Sequence, residues 1–88
     1  MKAFFVDFEA KNYGMLTTYV EATCKRAAKE ALKRYVDRHN GMVMIDGAEE
    51  VFLGAIKVYP IDEIPADCAY LNEDGRFMSP KGGNNEEK

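Results

Sequence analysis

Few residues in this chain could make or break bonds. There is one histidine, His39, and there are two cysteines, Cys24 and Cys68. A thiolate–imidazole pair needs both side chains within hydrogen-bond reach. Cys24 and His39 stand at the two ends of one helical pattern, and at about 1.5 Å per residue they lie roughly 22 Å apart. Cys24 also opens the apolar stripe of that pattern, which predicts a buried structural thiol rather than an activated one. Nothing in the spacing joins Cys68 to His39. One histidine with two distant cysteines cannot supply a structural zinc set. The run Asn72-Glu73-Asp74-Gly75 has part of a calcium loop, but Tyr70 holds the place of the first aspartate and the twelfth-position glutamate is missing. No phosphate-cradling glycine motif occurs, since Gly82-Gly83 lies in a polar tail. The adjacent acids Glu49-Glu50 and Asp62-Glu63 read as solvated loop carboxylates. The chain is therefore expected to be non-enzymatic, with no metal and no cofactor.

With catalysis set aside, charge is the next carrier of function. The formal net charge is −3. Lys25, Arg26, Lys29, Lys33, Arg34 and Arg38 are half of all the basic residues, and Glu30 and Asp37 are the only acids among them. That segment thus carries a formal +4 and the rest of the chain −7. Residues 46–74 hold eight acids, Asp46, Glu49, Glu50, Asp62, Glu63, Asp67, Glu73 and Asp74, against one base, Lys57. An acidic surface of this kind can meet a basic groove on another protein and compete there with nucleic acid. The lysine row Lys25, Lys29, Lys33, joined by Arg34, could instead track phosphates. The sequence pI near 5.1 and the i, i+4 pairs Arg26–Glu30, Glu30–Arg34 and Lys33–Asp37 favour a solvated helix face over that reading.

These residues must be positioned by secondary structure. Residues 2–11 alternate Phe4, Val6, Phe8, Ala10 with Phe5, Asp7, Glu9, Lys11, the period of two of a half-buried strand. Asn12-Tyr13-Gly14 supplies a turn, and 16–22 is a second strand with Leu16, Thr18, Val20 and Ala22 on one side. Thr23 is the expected helix N-cap. Cys24, Ala27, Ala28, Ala31, Leu32, Tyr35 and Val36 then recur at helical spacing, with charged residues between them through Arg38. Asn40-Gly41 stops the helix. Strands are expected at 42–45 and 51–59, with a turn at Asp46-Gly47, a bulge at Gly54 and closure at Pro60. A small hairpin, 69–71 with 76–78, closes the domain. The expected architecture is an α+β two-layer sandwich in the order ββαββ. One amphipathic helix lies on a four-stranded antiparallel sheet, with the extra C-terminal hairpin.

A chain of 88 residues is one domain, 1–78, followed by a tail at 79–88 without apolar residues that is expected to be disordered. Hydrophobic residues at 47% and charged residues at 31% suit a folded, water-exposed domain. No apolar run approaches the roughly 20 residues of a membrane span. Two cysteines without a secretory segment point to free thiols in a reducing cytoplasm. The sheet face away from the helix would carry Phe5 and Tyr19 beside Asp7, Glu9 and Glu21. It is either an open partner surface, including one for a second copy of the chain, or is covered by Tyr70 or Phe77 of the C-terminal segment.

The stretch Tyr19-Val20-Glu21-Ala22-Thr23 followed by residues 24–38 is a strand, a capping residue and an alanine-rich helix. In size and layout this resembles small phage-encoded inhibitors, including anti-CRISPR proteins and a phage inhibitor of bacterial RNA polymerase. The hairpin-then-helix order is also similar to the antitoxin partners of small RNase toxins. The first resemblance implies a stoichiometric inhibitor, acting in the host cytoplasm, that docks on a nucleic-acid-handling complex and has no active site. The expected partner-binding residues are Asp46, Glu49, Glu50, Asp62, Glu63, Phe5 and Tyr19. The alternative, a nucleic-acid-binding or antitoxin-like regulator, would use Lys25, Lys29, Lys33 and Arg34.

Overall fold

A computed structural model describes residues 1–45 and 47–81, and at 55 and 56 it describes the backbone alone. The described residues form β1 (Lys2–Ala10), β2 (Gly14–Ala22), α1 (Lys25–Arg38), β3 (Met42–Ile45), β4 (Ala48–Ile61), β5 (Tyr70–Leu71) and β6 (Phe77–Met78). The protein is α+β, as the patterning predicts. The sheet, however, has six described strands in the order β3-β4-β1-β2-β5-β6, not four. It is also mixed rather than antiparallel, because β5 runs parallel to β2 with Val20 opposite Leu71.

β1 is central, and its alternation organises both layers. Phe4, Val6, Phe8 and Ala10 are buried. Their partners on β2 are Val20, Thr18, Leu16 and Gly14. Over them lies α1, which buries Ala28, Ala31, Leu32, Tyr35 and Val36. Two alanines with no exposed surface let the helix axis approach the sheet closely, and Leu32 fills the space between the layers.

The helix starts one residue later than expected. Cys24 is the N-cap and makes no side-chain cap bond. Cys24 is exposed rather than buried, since the stripe turns away from the sheet at its first residue. Thr23 serves the fold differently: its hydroxyl and its backbone N–H both donate to Glu73 Oε2, at 2.7 and 2.8 Å.

β4 is longer than its apolar pattern suggests. It runs through Pro60, which pairs with Phe4 instead of ending the strand. The bulge expected at Gly54 is present as two register shifts against β1, between Asp7 and Phe8 and between Glu9 and Ala10. Gly54 lies between them at φ +147°. β3 pairs with residues 48–51 only. From Leu53 to Ile61, no described strand pairs with β4 on the side away from β1. Two bulges, Lys57 and a proline that cannot donate to a ladder blunt this long edge.

After β4, residues 62–69 carry the chain past β1 and β2 to β5. The expected C-terminal hairpin then forms, with Tyr70 opposite Met78 and Leu71 opposite Phe77. Its loop rests on α1. A Cβ at Gly75 would lie 2.7 Å from the Ala31 carbonyl oxygen, 2.7 Å from Arg34 Cβ and 2.9 Å from the Tyr35 nitrogen. Gly75 also has φ +81°. Only a glycine meets both demands. Beyond the hairpin, Lys81 Nζ pairs with Glu21 and stands 5.0 Å from the centre of the Tyr70 ring. The remainder of the expected tail, 82–88, lies outside the described residues.

Two outcomes follow. Gly75→Ala should destabilise the domain by about 2 kcal/mol or more in urea denaturation, combining left-handed strain with a backbone clash. Gly47→Ala, at φ +84° with no atom near its would-be Cβ, should cost only the strain. Equal losses would contradict the docking of the 72–76 loop. In sedimentation at matched concentration, the double variant Lys57→Val, Pro60→Val should show more high-mass material than the wild type. Identical profiles would mean that the β4 edge needs no such protection.

Candidate functional site

On the sheet face turned away from α1, the register places three aromatic residues side by side. Phe5 of β1 is opposite Tyr19 of β2 and opposite Tyr59 of β4. The Phe5 and Tyr19 ring centres are 5.0 Å apart with planes tilted by 41°. Such a tilted pair lies in the favoured range for aromatic contacts. Phe5 and Tyr19 are half-buried, and Tyr59 is 41% exposed. The rings, with Asp7, Thr17 and Thr18, border a hollow of about 340 Å³.

The next row along the strands is polar. Asp7 stands between Thr17 and Lys57, and the Thr17 hydroxyl donates to Asp7 Oδ1 at 2.7 Å. Beyond it, Glu9 is opposite Met15, which is 54% exposed. The alternation that turns Phe52 onto Phe8, ring centres 6.0 Å apart, leaves Val51 and Leu53 exposed. The face therefore combines an aromatic row, exposed aliphatic side chains and flanking carboxylates.

Among the described residues, neither Tyr70 nor Phe77 covers the row. Tyr70 is buried beside β2 at the sheet margin, under Lys81. Phe77 goes to the helix side, where it meets Tyr35 edge-on with ring centres 5.1 Å apart.

The expected acidic site is not brought together. Glu49 and Glu50 lie at the start of β4, and Asp62 and Glu63 follow its end. The length of β4 separates the two pairs. Glu49, Asp62 and Glu63 are exposed, and Glu50 Oε1 accepts from Asn12 Nδ2 at 3.3 Å. Asp46 lies outside the described residues. Tyr59 is the member that sequence reasoning missed. Tyr59 lies within the strand expected at 51–59, but the sequence does not show that this strand pairs with β1 in the register that sets Tyr59 beside Phe5.

The basic helix face divides. Lys25, Lys29 and Lys33 are exposed. Arg34 is turned to structural use, its Nη1 donating to the Glu73 carbonyl at 3.0 Å. Arg38 does the same with the carbonyls of Gly75 at 2.7 Å and Asp74 at 3.0 Å. Of the expected intrahelical pairs none is present among the described residues, where Lys33 instead meets Glu30 at 4.0 Å. The two arginines thus bind the ends of peptide dipoles in the 72–76 loop. That loop is itself organised by Asn72, whose Oδ1 accepts from the N–H groups of Asp74 and Arg76.

Glu73 completes this clamp. The bonds from the Thr23 hydroxyl and N–H, with the Arg34 guanidinium nearby, hold its carboxyl below the usual glutamate range. It also brings a negative charge to the start of α1, whose first turn contains no acid.

The thiols and the imidazole stand apart from any such assembly. Cys68 is half-buried, its Sγ 3.7 Å from Asp67 Oδ1, and His39 stacks on Tyr35 at 4.3 Å. Among the described residues no three His, Cys, Asp or Glu side chains form a metal-sized cluster. No described helix is long and apolar enough to cross a membrane. No protein-family model, curated protein or solved structure matches the chain.

The Glu73 clamp has a defined pH signature. A carboxyl with a depressed folded pKa adds stability that is present above its unfolded pKa and lost as pH falls through the folded value. The stability gap between the wild type and Glu73→Gln should therefore be full at pH 6–7 and close in the acid range below the ordinary glutamate pKa. By carboxyl-detected NMR, Thr23→Val should move the Glu73 titration back upward. A Glu73 midpoint unmoved by that substitution would contradict the clamp.

Proposed function

We propose that this chain is a non-catalytic protein-binding module that docks through the helix-free sheet face, with Tyr59, Phe5 and Tyr19 as its anchors. The observation that carries this reading is the three-ring row across β4, β1 and β2, in which half-buried Phe5 and Tyr19 stand beside exposed Tyr59. Aromatic rings at the centre of a patch supply large contact area at small entropic cost, and such positions dominate binding energies.

The partner is a protein with a basic surface. Asp7 and Glu9 follow the rings along β1, while Glu21 is engaged by Lys81, and outside α1 the chain carries a formal −7. Carboxylates around an aromatic centre steer a lysine- and arginine-lined surface into register and repel phosphate. The dispersed acids Glu49, Glu50, Asp62 and Glu63 contribute to this field from the two ends of β4 rather than as one cluster. A basic groove of a nucleic-acid-handling complex is the partner class, and occupying it is the inhibitory act, as in the small phage inhibitors that the chain resembles. The separation of Cys24 from His39 along α1 supports a role without catalysis.

Immobilised wild-type chain should retain such a protein from bacterial lysate at low salt and release it as salt rises. Tyr59→Ala or Tyr19→Ala should weaken the purified complex at least tenfold, while Lys29→Ala should leave it unchanged. Binding that survives both tyrosine substitutions would overturn the assignment. So would retardation of DNA or RNA in a low-salt gel shift that is lost on replacing Lys25, Lys29 and Lys33.

A further inference from the structure

On the other side of the sheet, an apolar cavity of about 190 Å³ remains between α1 and the strands. Phe8, Leu16, Leu32, Tyr35, Val43 and Ile45 form its walls. Phe77, at 48% exposure, and Met44, at 50%, stand at its mouth.

The fold explains why the space is not filled from within. Phe77 is the nearest large side chain, but it belongs to the hairpin that Gly75, Arg34 and Arg38 tie to the helix. It is held edge-on to Tyr35 and cannot drop inward without lifting that loop. The walls come from four elements fixed by sheet pairing and helix packing, so the cavity cannot collapse by moving one side chain.

We propose that this cavity is a binding site for a small molecule with a single aromatic ring. Its size sets the class: an enclosed apolar cavity of about 150 Å³ takes up benzene, and this one, open to solvent between Phe77 and Met44, has a comparable volume. The present one has room for a ring with one or two further heavy atoms. The polar groups at its wall are few. The Thr18 hydroxyl reaches only the Tyr19 carbonyl, at 3.5 Å. The Tyr35 side chain, 6% exposed, makes no hydrogen bond to another described residue. An apolar wall with one or two convergent hydroxyls suits a ring bearing at most one hydrogen-bonding group. Met44 at the rim is flexible enough to admit it. The cavity opens on the helix side of the sheet, and Thr17 and Thr18 of β2 border both it and the hollow beside the aromatic row.

Toluene and phenol serve as probes, added to the full chain and followed by methyl NMR and thermal melting. Saturable shifts at the Leu32, Val43 and Ile45 methyls are expected with at least one probe. Melting should rise by roughly 5–10 °C at ten times Kd. Leu16→Phe, which places a larger side chain at the cavity wall, should weaken binding at least tenfold, and Leu53→Ala, on the outer face, should not. Should Leu16→Phe fail to fold, nuclear Overhauser contacts between probe ring protons and the Leu32 and Val43 methyls of the wild type decide the matter. Absence of saturable shifts with both probes overturns the proposal. So do shifts centred elsewhere, binding unaffected by a folded Leu16→Phe, or absent contacts.

Discussion

The alternation of β1 is the constraint from which the rest of the molecule follows. A strand repeats every two residues, so burying Phe4, Val6 and Phe8 forces Phe5, Asp7 and Glu9 to the opposite face. A single helix can cover one face only. α1 is alanine-lined where it meets the sheet and charged elsewhere, which commits it to the Phe4–Phe8 side. The aromatic residues left over then line up because β2 and β4 both pair with β1 at Phe5. A slip of one residue at either ladder would bring the outer rings under the helix and unseat the core.

The second organising feature is the clamp between the 72–76 loop and α1. Its parts are interdependent: Asn72 shapes the turn, Gly75 allows close approach to the helix backbone, and Arg34 and Arg38 engage the carbonyls. Charge-assisted bonds to carbonyls hold more firmly than surface ion pairs between long side chains. This also gives the basic helix two populations. Lys25, Lys29 and Lys33 face solvent, while Arg34 and Arg38 act as fasteners. In a domain with a small core, a clamp at the sheet margin fixes the short strands β5 and β6, which have little pairing of their own.

Legibility in the sequence tracks the range of the physics. The β1 and β2 alternation, the helical stripe over residues 27–36 and the Gly54 bulge are local patterns, and the structure realises them. Pro60 misleads because a proline ends a strand only where its missing donor matters, and β4 has an unpaired side there. The parallel pairing of β5 with β2 joins Val20 to Leu71, far apart in the chain, through one bridge, with no periodic signal to announce it. Thr23 looks like a cap because its type is right, but its hydroxyl is taken by Glu73 from the far end of the chain. The acids share a stretch of sequence, and a fourteen-residue strand then sets Glu49-Glu50 and Asp62-Glu63 at its two ends. Tyr59 became visible as a site residue only with the β4 register.

Solvent paramagnetic relaxation of the free chain, with a neutral gadolinium chelate as co-solute, tests the two-faced sheet most directly. The ring protons of Phe5, Tyr19 and Tyr59 should relax strongly, while those of Phe4 and Phe8 and the methyls of Val6 and Leu32 stay protected. Protection of Phe5, Tyr19 and Tyr59 to the level of Phe4 would contradict the account.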